Sequence, residues 1–312
     1  MAVAGAYMLF NPAFIKTTTV AVSPSVETSP SAKTKTPKLP KASQTSKAFK
    51  TPATAKPIYE VFPAEPERIH VPAPAPVHAP AHREPGAPGK PLPRVAIIID
   101  DIGHDKKMAE RFLSLNANMT FSILPHSRFC KEISVLVVRK GYEVMLHLPM
   151  EPDEYPMVDP GSGALMVAMT PDERIGQLKK NIDAVPYAKG VNNHMGSKLT
   201  ALSDEMNQVF GILKQQGLFF VDSRTTAVSQ TRSSAKLFKV PYAERDVFLD
   251  HVQEREMIRQ QIDLLINIAE IHGKAVAIGH PHHVTFEVLA EVMPDLKERV
   301  KLVSASEIVE VF

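Results

Sequence analysis

Polar and apolar positions along this chain fall into two regimes, and the change comes at Arg94. From there onward, short apolar runs alternate with stretches whose apolar residues recur at helical spacing, the pattern of a parallel sheet covered by helices. The run Val95-Ala96-Ile97-Ile98-Ile99 is continuous, and four of its five residues are β-branched, so it predicts a strand buried on both faces. It stops at Asp100-Asp101-Ile102-Gly103. Further strands are expected over 119–124, 143–148, 190–192, 218–221, 247–249, 275–279 and 301–303. Helices are expected over 105–115, up to Lys140 with Gly141 as its stop, over 170–184, from Ser203 to Gly217, over 254–272, and once more before 301. The clearest start is Thr170-Pro171-Asp172-Glu173, a capping-box pattern with proline at the first helical position.

Seventeen of the 27 prolines fall before Arg94, among Ala, Lys, Ser and Thr, and no sustained period appears over 17–93. Such a segment cannot bury enough apolar surface to fold, and it predicts an extended, disordered linker or tether. The first ten residues, MAVAGAYMLF, are apolar but too short to span a bilayer and lack a basic leader. They are read as the end of a membrane anchor or signal over 1–16. The expected organisation is therefore an anchor remnant (1–16), a linker (17–93) and one domain (94–312), long enough for a single large core.

Charge changes this picture little. The net charge is +2, and Lys33, Lys35, Lys38, Lys41, Lys47 and Lys50 of the linker supply much of the positive excess. They either attract an acidic surface or simply solubilise the segment. With no Trp and no basic helix face, nucleic acid is not an expected partner. Cys130 is the single cysteine, which excludes an internal disulfide and a thiolate metal cage.

Candidate chemistry lies at the strand ends. Asp100, Asp101, His147, His194, Asp222, Asp250 and His280 each follow the C-terminal end of an expected strand. In parallel α/β folds that edge is where sites are built. Singly, each has a plainer reading: an Asx turn or helix cap for an aspartate, a satisfied core histidine for His147. Recurrence at six strand ends argues for one shared site. One carboxylate and two imidazoles can hold a zinc-like divalent ion with a position open for water. Such an ion lowers the pKa of that water from about 15.7 to roughly 7. A second carboxylate can take the proton, and a histidine can protonate the leaving group. No G-x-S-x-G elbow, Walker loop or G-x-G-x-x-G fingerprint occurs.

These motifs resemble those of the polysaccharide deacetylases, chitooligosaccharide-deacetylase-like carbohydrate esterases. Ile99-Asp100-Asp101 is similar to the family's opening motif, which implies Asp100 as general base and Asp101 as metal ligand. The segment 141–147 is similar to the second motif, which normally supplies two histidines four apart; here His147 is followed by Glu151. His280 resembles the late general-acid histidine. The usual arginine-proline motif is missing, and Asn192-Asn193-His194-Met195-Gly196-Ser197 stands in its region. With His147-Leu148-Pro149-Met150 and Gly279-His280-Pro281, this looks like the divergent branch of the family, typically exported in Gram-negative bacteria.

The resemblance covers about 94–308 and implies a deformed (β/α)7 barrel of mostly parallel strands. It implies a divalent metal, zinc first; the departures from the family pattern leave the shell open, and it is read first as Asp101, His147 and His194, with Glu151 as the alternative third ligand. Asn193, Ser197, Asp222 and Arg224 would contact substrate, although Asp222 and Arg224 equally suit a pair that braces the rim. Asp250 would orient a catalytic histidine. His251, His282 and His283 would be peripheral, and His104 and His126 would line the rim. The activity implied is removal of N- or O-acetyl groups from a polysaccharide of the periplasm or cell envelope. A non-catalytic glycan- or partner-binding protein on the same barrel is the alternative, favoured by the missing arginine motif and by Glu151. Retention of Asp100, Asp101 and His280 together favours the enzyme.

Overall fold

The structure, a computed structural model, describes residues 91–312. The expected anchor and nearly all of the expected linker lie outside these residues. The elements in order are β1 (Arg94–Ile102), α1 (Lys106–Leu113), β2 (Thr120–Ile123), α2 (Cys130–Arg139), β3 (Glu143–Met150), α3 (Pro171–Ala184), β4 (Ala188–Met195), α4 (Ser203–Gln216), β5 (Phe219–Asp222), α5 (Thr231–Phe238), β6 (Tyr242–Glu244), β7 (Val247–Phe248), α6 (Arg255–His272), β8 (Lys274–Gly279), α7 (His283–Arg299) and β9 (Lys301–Leu302). Local chemistry sets the helix ends. Asp105 accepts from the Met108 N–H at 3.0 Å to start α1, and the capping box of Thr170 and Glu173 starts α3. Gly217 closes α4 with φ +68°.

The strands form one sheet in the order β6-β5-β4-β3-β2-β1-β8-β7, every neighbouring pair parallel, with β9 beside the start of β1. The two ends of that path, β6 and β7, are separated in sequence only by Arg245 and Asp246. The sheet must therefore curl until its edges approach, which gives the deformed barrel that the motifs imply.

Strand pleat decides what the curl encloses. Val95, Ile97 and Ile99 of β1 belong to the large apolar layer shared with the helices. Ala96 and Ile98 belong to a second cluster with Met145, Phe219, Val221, Val276 and Ile278. Alternate residues on neighbouring strands share a face, so this second cluster is the barrel interior. Val303, Ala305 and Ile308 pack into it from the C-terminal segment. Two positions further along the same parity, β1 reaches Asp100, β3 His147, the end of β5 Ser223 and the end of β8 His280. The interior thus changes from apolar to polar towards the C-terminal ends of the strands.

Three local expectations are revised. The fourth strand is longer than 190–192: it runs to Met195 because Asn192, Asn193 and His194, poor strand formers, are buried and hydrogen-bonded inside the fold. Neither α5 nor β6 was expected. The buried residues of α5 are Thr231, Ser234 and Ala235, small and mostly polar, so no apolar period marks the helix.

Candidate metal centre

Successive strand residues point to opposite faces, so Asp100 and Asp101 should diverge. A bulge prevents this. The register between β1 and β2 shifts between Ile99 and Ile102, and Asp101 has φ +53°. Both carboxylates consequently turn inward and are buried. In β4 the pairing sets His147 opposite Asn192 and Pro149 opposite His194. Asn192 and His194 therefore share the inward face with His147, one step apart along the neighbouring strand.

Three ligand atoms converge. His147 Nε2 lies 3.2 Å and His194 Nδ1 3.0 Å from Asp101 Oδ1, and the two ring nitrogens are 3.1 Å apart. Tetrahedral bonds of 2.0–2.1 Å to oxygen and nitrogen set donor atoms about 3.4 Å apart, so the triangle is close to the size that a zinc-like ion requires. Asp101 Oδ1 is buried and makes no hydrogen bond. Burial alone would raise the Asp101 carboxyl, but the His194 and His147 imidazoles outweigh it and hold it well below the usual carboxylate range. Three lone pairs facing one point need a proton or a cation between them. The residues fit a divalent metal.

Asn192 lies behind the triangle. Its Oδ1 accepts from His147 Nδ1 at 3.0 Å and from Ser122 Oγ. Its Nδ2 donates to both oxygens of Asp100 at 2.9 Å and to Ser223 Oγ at 3.3 Å. Burial pushes the Asp100 carboxyl up to about 6, against the opposing pull of His147, His280 and the Asn192 hydrogen bond. That value suits a group that accepts a proton near neutrality.

His280 follows β8, whose Gly279 pairs with Ile99, so it sits beside Asp100 on the adjacent strand. Asp250 holds it: Oδ1 lies 3.0 Å from His280 Nδ1, while Oδ2 accepts from the His280 backbone N–H and from Thr285 Oγ1, both at 2.7 Å. Burial works against a charged ring, but Asp250, Asp101 and Asp100 prevail and raise His280 to about 10. Its Nε2 is buried without a hydrogen bond. Asp250, His280 and His282 form a second group that could hold a cation, but the first pair is already engaged as a carboxylate and its imidazole.

The remaining expected residues are placed differently. Glu151 lies outside the triangle: Oε1 meets Lys198 Nζ and Oε2 accepts from the Val167 N–H, both at 2.6 Å. Its carboxylate ties the loop after β3 to the turn after β4. Asn193 accepts from the Ser223 N–H and donates to Met195 O and Thr225 Oγ1, pinning two loops together. Ser197 accepts from the Asp153 N–H at 2.9 Å. Asp222 receives the Arg224 N–H and the hydroxyls of Ser229 and Thr231, so it braces the rim. Arg224 itself is exposed, with φ +54°. His104, His126, His251 and His283 are exposed, and His126 Nε2 meets Asn181 Oδ1 at 2.9 Å. His282 is buried, and its Nε2 lies 3.0 Å from Gln253 Nε2. Asn192, Ser122 and Ser223 were missed as site residues. For Asn192 the signal was its two-residue spacing from His194 within a strand.

A family model described as divergent polysaccharide deacetylase matches residues 97–309. The chain belongs to this divergent polysaccharide deacetylase family. The Escherichia coli K12 protein YibQ, described as uncharacterized, is 34% identical over 213 residues, spanning 68% of this chain and 66% of its own. An uncharacterized Haemophilus influenzae protein is 32% identical over 211 residues, 67% of this chain and 74% of its own. The chain thus spans about two thirds of the length of its Escherichia coli relative. Among solved structures, the uncharacterized protein ATU2773 of Agrobacterium tumefaciens C58 has a TM-score of 0.67 at 23% identity, covering 72% of this chain and 92% of its own. That likeness shows that the two share the deacetylase-like fold.

Proposed function

We propose that this divergent polysaccharide deacetylase is a metal-dependent hydrolase that removes N- or O-acetyl groups from a cell-envelope polysaccharide. The observation that carries the reading is the triangle of Asp101, His147 and His194 beside two further groups with complementary proton roles. A divalent ion, zinc first, held by those three residues would supply activation of water for attack at neutral pH. Asp100, buried and held by Asn192, accepts the proton of the attacking water. His280, protonated and braced by Asp250, gives the proton from Nε2 to the leaving nitrogen or oxygen as its bond to the acetyl carbon breaks. Water is thereby split across that bond, giving acetate and the free amine or alcohol. Binding alone would need neither a general base nor an acid poised this way.

Arg224 is the exposed rim residue best suited to meet a substrate group, since Asn193, Ser197 and Asp222 are engaged within the protein. The proline-rich sequence before Arg94 supports a tethered position in the envelope or periplasm.

Elemental analysis of the full-length protein tests the reading. About one equivalent of a divalent metal is expected, lost in both Asp101→Ala and His194→Ala, with acetate released from an N-acetylated chitooligosaccharide by the wild type alone. A wild-type protein that stays metal-free after loading would sink the hydrolase and leave the glycan-binding alternative.

A further inference from the structure

The Asp101 triangle works only if His147 presents a bare nitrogen to it. Two groups compete for the other nitrogen of that ring: Asn192 Oδ1 at 3.0 Å and Asp100 Oδ2 at 3.7 Å. We propose that Asn192 is a positioning residue that fixes His147 as the Nδ1–H tautomer and keeps Asp100 apart from that ring, so that one amide serves both the metal ligand and the general base. This deepens the hydrolase reading and rests on it for the role of Asp100.

Hydrogen-bond polarity supports the assignment. The Asn192 side chain is fully buried, and all its partners lie inside the barrel. A carboxylate can only accept, so Asp100 demands the amide NH2 on its side. The carbonyl oxygen must then face Ser122 Oγ and His147 Nδ1, which leaves both as donors. With its proton on Nδ1, His147 has its lone pair on Nε2, the atom that points at Asp101 Oδ1 and His194 Nδ1. The flipped amide would set its oxygen against a carboxylate and its NH2 against the ring. Neither contact is tolerable in a buried site.

The arrangement also separates two functions that a direct carboxylate–histidine pair would merge. If Asp100 took the ring proton of His147, its oxygen would be spent on orienting a ligand. With Asn192 between them, the ring is oriented by a neutral carbonyl and both oxygens of Asp100 are held by the amide NH2. Outer partners of this kind typically change metal affinity by about 10–100-fold when removed.

The test uses the full-length protein with 15N-labelled histidine rings, first metal-free and then titrated with zinc against a competing chelator. In the wild type, His147 is expected as the Nδ1–H tautomer before any metal is added. Asn192→Ala, and Asn192→Leu as a space-filling counterpart should the alanine variant misfold, are each made in an Asp100→Ala background so that no carboxylate takes over the ring N–H; they are expected to lose that tautomer preference and bind zinc about 10–100-fold more weakly than Asp100→Ala alone. Asn192→Asp in the same background keeps an oxygen acceptor facing His147 with no second carboxylate against it, and is expected to retain the tautomer and zinc affinity within about tenfold, a rescue that general loosening of the barrel would not give. Asp100→Ala alone leaves the tautomer unchanged. The proposal is overturned if the tautomer survives in Asn192→Leu with Asp100→Ala, or if Asp100→Ala alone abolishes it. A wild type that binds no zinc but shows the Asn192-dependent tautomer counts against the hydrolase and not against this role of Asn192.

Discussion

Burial opposes a charged ring at His280, and three carboxylates around it oppose burial; the carboxylates win, raising it to about 10. The sign for stability follows from linkage. A raised histidine contributes stability that is fully present below its unfolded value of about 6.5 and is lost as pH rises towards 10. Chelator-treated protein should therefore unfold at progressively lower urea concentrations between about pH 6.5 and pH 10, and Asp250→Asn should flatten that trend. A bound cation would weaken the same effect by offsetting the charges of Asp101 and Asp100. Asp100 makes a kinetic prediction at the same scale. Asp100→Asn should retain metal and lower deacetylation by about 10²–10⁴-fold, the usual worth of a positioned proton acceptor. Metal loss in that variant would instead make Asp100 a ligand.

Individual elements place these residues, and the loops after them decide what stays free to react. Glu151 was legible as a buried-site candidate because a histidine is expected near its position in the motif. Its actual partners, Lys198 and the Val167 N–H, are distant in sequence and carry no local signal. Glu151→Gln should leave metal content unchanged while destabilising the protein by about 1–3 kcal/mol, because the Val167 N–H loses a charged acceptor in a buried setting and the half-exposed Lys198 loses its ion-pair partner. Urea unfolding beside elemental analysis checks both parts. The strand β4 shows a related limit. Its second half, Asn192-Asn193-His194, reads as a loop by propensity, and tertiary hydrogen bonds to Ser122, Asp100 and Ser223 hold it extended. Close packing also constrains its start: a Cβ at Gly190 would lie 2.3 Å from the Phe219 ring.

For the molecule as a whole, the barrel interior is a stack with three levels. Val303, Ala305 and Ile308 occupy one end, Ile98, Met145, Val221 and Ile278 form the middle, and the polar groups of the site form the other end. The C-terminal segment is thus part of the core and not a trailing end, and Glu310 adds backbone hydrogen bonds to Tyr242 on β6. Ile308→Ala should cost about 2–5 kcal/mol in urea unfolding, as for other fully buried aliphatic truncations. Zinc affinity of the folded fraction should be unchanged, because the site lies at the opposite end of the stack.

By itself the sequence determined the parallel α/β class, most strands and helices, and a cluster of Asp and His at the strand ends. These are local properties: apolar runs, helical periods, caps, and residue types that follow a strand. It also carried the family motifs at Asp100, Asp101, His147 and His280. Tertiary structure alone decided which residues of each strand face inward. Strands buried on both faces show no alternation to read, so parity comes only from the curl of the sheet. That parity puts Asn192 beside Asp100 and His147. The bulge then brings the Asp101 carboxylate into the same interior beside Asp100, against the strand's own period. Glu151, by contrast, is drawn out of the site by Lys198. Such choices depend on contacts between residues far apart in the chain, and no window of the sequence contains both partners.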